Sequence, residues 1–174
     1  SELVTGSYIR SFFNGLRIPV STMRAGNVIG GGDYSKDRII PDAIRALITN
    51  QTLLLRNPKS IRPYQHVLEP LFAYLNIAEK QIFHPELASN YNIGPDESDC
   101  VSTQILIDYF NQSLNEHQHS KLDVMFQQDV NAVHEANYLR LDCSKYRTTF
   151  NWKPLWTIKE AISRIVDFSL ESQE

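Results

Sequence analysis

Cysteine is scarce. Cys100 and Cys143 are the chain's complement, and they lack the close spacing of a zinc site. Two states stay open for them, a single disulfide or, as expected in a reducing compartment, two free thiols. Long apolar runs are missing: nothing approaches the roughly 20 residues of a membrane-spanning helix, and nothing has the layout of a signal peptide. Repeats and low-complexity stretches are missing too. No Gly-Lys-Ser/Thr follows the glycines, so there is no phosphate-binding P-loop. The dinucleotide fingerprint is also absent, because its glycines are spaced differently and it wants an acidic residue about 20 positions on. No Ser–His–Asp or Cys–His arrangement offers a nucleophile. His117 and His119 stand two apart in a polar stretch without further ligands, which reads as solvated rather than metal-binding. An initiator methionine is missing as well, and helical periodicity begins at the first residues. The expectation is a chain cut inside an element.

What remains is a chain of 174 residues, 42% hydrophobic and 21% charged, enough for one domain with a real core or for part of a larger one. Its charge is unevenly spread. Through residue 66 there are nine Lys/Arg against four Asp/Glu, and beyond it eight against sixteen. Chance variation on a solvated surface is one reading. The other is a first third that faces a small anion handled by a few arginines. A nucleic-acid surface would be basic more widely, so no nucleic-acid partner is expected.

Apolar spacing places a helix over residues 2–15, a short buried strand at 18–24, and a helix at 41–50 with proline in its first turn. Residues 52–56 read as a strand. Residues 67–84 form the clearest helix, with Pro70 tolerated in the first turn. A short strand is expected at 89–94, a Ser/Thr-capped helix at 101–114, a strand at 121–127, a short helix within 142–152 and a final helix from about Thr157. Strands alternating with helices imply an α/β architecture, though the strands are too few and short for a complete doubly wound sheet.

Three stretches carry chemistry. "MRAGNVIGGGDYSKDRIIPDAI" (23–44) places Arg24, Asn27 and a run of glycines after a strand. Glycines there are ordinary turn residues, or a backbone shaped to approach an anion at the carboxyl end of a strand. "RNPKSIRPYQHVLEP" (56–70) sets Arg56, Lys59 and Arg62 in a loop punctuated by proline, either a solvated basic loop or a source of phosphate-matching guanidinium forks. "QQDVNAVHEANYLRLD" (127–142) holds His134 and Glu135, a pair that is more often structural than catalytic.

These stretches resemble the extended short-chain dehydrogenase/reductases that act on nucleotide sugars and, within them, the CDP-glucose 4,6-dehydratases. The segment 1–13 looks like the helix after that family's Tyr-x-x-x-Lys pair. "RAGNVIGGGDYSKDRIIPD" resembles its substrate loop, "IRPYQHVLEP" its arginine before a helix start, "YNIGP" its strand end, and "HEANYLRLDCSKYRTTFNWKP" its closing segment. The resemblance implies the C-terminal part of such an enzyme, with the last Rossmann elements plus a small mixed α/β substrate-binding domain. Residues 1–30 would end the Rossmann domain, and 31–174 would be mainly substrate-binding with segments returning to the Rossmann sheet.

It further implies a lyase of deoxysugar, O-antigen-type biosynthesis that uses NAD. The cofactor takes hydride from C4 of the sugar, water leaves across C5 and C6, and hydride returns to C6. Asn27, Arg38, Arg62, Asn92, His134 and Glu135 would contact a CDP-glucose-type sugar nucleotide, and the backbone of Ala25 and Gly26 would lie near the nicotinamide. The Tyr/Lys pair and the NAD fingerprint would lie upstream, leaving no catalytic residue in this chain and no tight NAD binding by it alone. The other partner implied is the missing N-terminal half, in a cytoplasmic and homo-oligomeric parent without membrane contact. Another nucleotide-sugar dehydratase or epimerase, or a non-catalytic sugar-nucleotide-binding module, are the alternatives.

Overall fold

The computed structural model describes residues 1–126 and 138–172. The chain opens on helix α1 (Glu2–Tyr8), which runs through a π-helical turn (Ile9–Phe13) into α2 (Asn14–Leu16) and stops at Arg17, a left-handed C-cap with φ 53°. None of these helical residues is buried. Leu3, Val4, Phe12 and Leu16 all face outward.

Strand β1 (Thr22–Ala25) pairs in parallel with β6 (Asn90–Ile93), while β2 (Asn27–Ile29), one residue further on, pairs in parallel with β5 (Tyr64–His66). Gly26 is the hand-over. Its N–H donates to the Ile93 carbonyl, and the next N–H, that of Asn27, donates to the Pro63 carbonyl, both at 3.0 Å. A Cβ on Gly26 would stand 2.5 Å from that same Pro63 oxygen, so only glycine lets the strand change partners here. The gap between β5 and β6 is bridged by Gln65, whose Nε2 donates to the Ile93 carbonyl at 3.0 Å.

Helix α3 (Ile39–Thr49) buries Ile40, Pro41, Ala43, Ile44 and Ala46 and ends at Asn50 in the left-handed region. Strand β3 (Leu53–Leu55) pairs in parallel with β8 (Val124–Phe126), and β4 (Ile61–Arg62) pairs antiparallel with β7 (Val101–Ser102). The stretch from 56 to 66 is therefore more ordered than its proline punctuation suggested: it holds two strands, β4 and β5, broken at Pro63. The glycine-rich stretch likewise contains β2 where a loop was expected. Elements of two or three residues are too short to show an alternating pattern.

Helix α4 (Leu68–Phe83) carries Pro70 in its first turn, where no backbone N–H is needed. Helix α5 (Thr103–Glu116) is capped by Ser102, whose hydroxyl accepts from Ile105 N–H at 3.2 Å. Short helix α6 (Ser144–Phe150) follows. Helix α7 (Ile158–Glu171) starts in a capping box built from Thr157 and Glu160.

Two apolar cores result. One joins Ile40, Leu55, Phe110, Leu114, Ile162 and Ile165, from α3, β3, α5 and α7. The other joins Ala73, Ile77, Tyr91, Ile93, Tyr146 and Trp152, from α4, β6 and the region of α6. Both cysteines are free thiols, and burial pushes the Cys143 thiol up to about 11. His117 is not simply solvated: its Nε2 lies 2.9 Å from Asp167 Oδ1, tying the end of α5 to α7.

Candidate functional site

A cleft of about 750 Å³ opens beside the β1–β2 junction and runs between α3 and β3. Its walls include Asn27, Arg38 and Arg62, three of the residues expected to meet a sugar nucleotide, and Gly26, expected near the nicotinamide. They come together because the partner exchange at Gly26 leaves a crevice at strand ends, the place where open α/β sheets receive ligands. Arg62 is 7% exposed, and its Nη1 donates to the Ile61 carbonyl at 2.9 Å. Strand β4 is held on one side by β7 and on the other by Tyr138, with Leu139 N–H donating to Ile61 O at 3.1 Å. That packing fixes the backbone from which the guanidinium projects.

Ala25 and Asn92 do not line the cleft. Asn92 sits opposite Arg24 in the β1–β6 register, accepts from Arg24 Nη1 at 3.2 Å, and donates to the Asp142 carbonyl at 2.9 Å. Arg24 also binds Glu2 through two hydrogen bonds, and this contact holds the Glu2 carboxyl below its usual range. His134 and Glu135 lie outside the described residues.

The glycines are explained by packing. Added Cβ atoms on Gly30 and Gly31 would meet Val67 at 2.8 Å and the Phe168 ring at 2.2 Å, and Gly32 has φ +76°. Gly30 and Gly31 thus lack side chains because Val67 and Phe168 occupy that space, while Gly30 also lines the cleft.

Several cleft residues were not singled out by sequence reasoning. Asp42 and Arg45, one turn apart on α3, form an ion pair, and Arg45 Nη2 also donates to the Tyr34 carbonyl at 3.1 Å. Asp33 pairs with Arg38 at 3.6 Å. Its Oδ1 accepts from Ser35 N–H at 2.9 Å, and the hydrogen bonds from Ser35 lower its pKa. Arg56, expected as one charge of a basic loop, stands at the end of β3 with Nη2 3.4 Å from Asp37 Oδ1. Spacing could have suggested the i, i+3 pair on α3. Nothing in the sequence joins Asp37 to Arg56. Among the described residues no group of three His, Cys, Asp or Glu could hold a metal ion, and no helix is long and apolar enough to cross a membrane.

The architecture is the mixed α/β fold of an extended short-chain dehydrogenase/reductase over part of its length. UDP-glucuronic acid 4-epimerase from Bacillus cereus, solved with UDP-glucuronic acid and NAD, matches with a TM-score of 0.79 at 16% identity, over 98% of this chain and 50% of that one. The dTDP-glucose 4,6-dehydratase from Bacillus anthracis, solved with NAD, matches with a TM-score of 0.74 at 16% identity, over 99% and 50%.

In sequence the chain is similar to CDP-glucose 4,6-dehydratase of Salmonella typhimurium, 39% identical over 172 residues, which is 95% of this chain and 46% of that protein. The chain thus spans about half the length of the relatives it matches. No family model matches it.

Proposed function

We propose that the chain is the C-terminal, nucleotide-sugar-binding part of a CDP-glucose 4,6-dehydratase, an NAD-dependent lyase that turns CDP-glucose into CDP-4-keto-6-deoxyglucose and water. The observation that carries this reading is the gathering of Gly26, Asn27, Arg38 and Arg62 around one cleft, in a chain 39% identical to such a dehydratase. In this reading the sugar lies toward Asn27 at the β1–β2 junction, and Arg62 receives the diphosphate through a forked, charge-assisted contact. Arg38 adds positive charge at the rim.

NAD would supply the hydride chemistry of the whole enzyme. In this reading the pyrophosphate of NAD is held elsewhere, because the glycine run lacks the spacing of a dinucleotide fingerprint. Ala25 and Gly26 would at most border the nicotinamide. Tight cofactor binding and the Tyr/Lys pair would then belong to an N-terminal half that the outward apolar faces of α1 and α4 would adjoin, and this chain alone would not turn over. The Rossmann elements would end near residue 30, with later segments returning to the sheet. A cytoplasmic, homo-oligomeric parent is part of the same reading.

The test is binding of CDP-glucose by calorimetry. A buried charge-assisted contact is worth about 1.5–3 kcal/mol, so Arg62→Ala should weaken binding about 10- to 150-fold. Arg62→Lys should restore only part, since a point charge cannot reproduce the fork. Full binding by Arg62→Ala with an unchanged melting curve would overturn the placement of the diphosphate. Failure of the unaltered protein to bind any nucleotide would overturn the function.

A further inference from the structure

Most charge pairs along the cleft stay within one element. Asp42 and Arg45 share α3, and Asp33 and Arg38 share the loop before it. Asp37 and Arg56 instead reach across, from the residues preceding α3 to the end of β3, and both line the cleft. Their side chains are 75% and 64% exposed, so the pair is held weakly and opens at little cost. Asp37 also has φ 59°, a left-handed conformation uncommon for a residue with a side chain and often found where a ligand is clamped. A carboxylate and a guanidinium thus stand side by side in the wall of the cleft, on the two elements that frame it.

We infer that Asp37 and Arg56 read the base of the bound nucleotide and select cytosine over uracil and thymine; this rests on the nucleotide-sugar reading above. With the sugar at Asn27 and the diphosphate at Arg62, the nucleoside extends toward β3 and the Asp37 loop. Cytosine presents an exocyclic amine beside a ring nitrogen and a carbonyl, one donor followed by two acceptors. The Asp37 carboxylate accepts from the amine while the Arg56 guanidinium donates to the two acceptors, and the ion pair gives way to this exchange. Uracil and thymine present a carbonyl and an N–H in the same places. The carboxylate would then face a carbonyl, the guanidinium would face a donor, and both groups would lose their partners.

The probes are CDP, UDP and dTDP, titrated by calorimetry into the protein and two variants. The unaltered protein should bind CDP about tenfold or more tightly than UDP or dTDP. Asp37→Asn, a substitution well tolerated at positive φ, should bring the three affinities within about threefold of one another, mainly by weakening CDP. Arg56→Ala should do the same, with Arg56→Lys retaining part of the preference. Melting curves establish that each variant is folded. Equal binding of the three nucleotides by the unaltered protein, or a preference for CDP that survives Asp37→Asn and Arg56→Ala, overturns the inference and leaves the nucleotide site standing. Binding of none of them overturns the functional reading instead.

Discussion

His66 closes β5 with its ring edge-on to Trp156, centroids 4.8 Å apart, and its Nδ1 accepts from Leu68 N–H at 3.3 Å. That contact assigns the proton of the neutral ring to Nε2. Burial lowers its pKa from an ordinary 6.5. The unfolded chain therefore takes up a proton at a pH where the folded one does not, and stability falls as pH drops below about 6.5 until the folded pKa is reached. Urea unfolding at pH 7.5 and 5.5 should show this loss, and His66→Asn, which keeps an acceptor for Leu68, should reduce the difference. An unchanged pH dependence would mean that His66 is charged freely in the fold. A neighbouring carboxylate shows the other way to bury a polar group: Glu69 is 5% exposed and its Oε1 accepts from Leu155 and Trp156 N–H at 3.0 and 2.9 Å, pinning the approach to α7 to the start of α4.

Strand β2 depends on the absence of one side chain. Gly26→Ala would press a methyl against the Pro63 carbonyl, a backbone atom that cannot swing away, and should cost about 1–3 kcal/mol as other overpacked sites do. Gly15, in α2, has nothing within 4 Å of an added Cβ, so Gly15→Ala should instead stabilise by about 0.5–1 kcal/mol. Denaturant midpoints of the two variants, moving in opposite directions, check both statements. The longer elements were legible in the sequence because burial imposes a period: α3, α4, α5 and α7 lie within two or three residues of their expected positions. Strands β2, β4 and β5 were not, since two or three residues between a glycine and a proline show no period. Arg62 and Asn27 could be placed at the cleft by resemblance. Asn92 could not be told apart from them, because its strand-end motif does not reveal that Arg24 and Asp142 occupy its amide.

Helix α4 is apolar on two sides. Ala73 and Ile77 face the core, while Leu68, Phe72, Leu75, Ile82 and Phe83 are more than half exposed on the outer face. A stripe of this kind marks a contact surface rather than a solvated one. Replacing Leu75 and Ile82 by lysine should leave the unfolding free energy within about 0.5 kcal/mol per site and reduce any self-association seen by sedimentation velocity. A marked loss of stability would show that these side chains already pack within the chain. The two interior cores have a different relation to the sequence. β1 borders the core of Tyr91 and Tyr146, α3 and β3 build the other, α4 and β6 return to the first, α5 serves the second, α6 the first, and α7 the second again. Neither core is made from one continuous segment, so no single cut in the chain could divide the molecule into two pieces that each keep a complete interior. Melting one would pull apart the elements that frame the other, and the two should be lost together in one cooperative event.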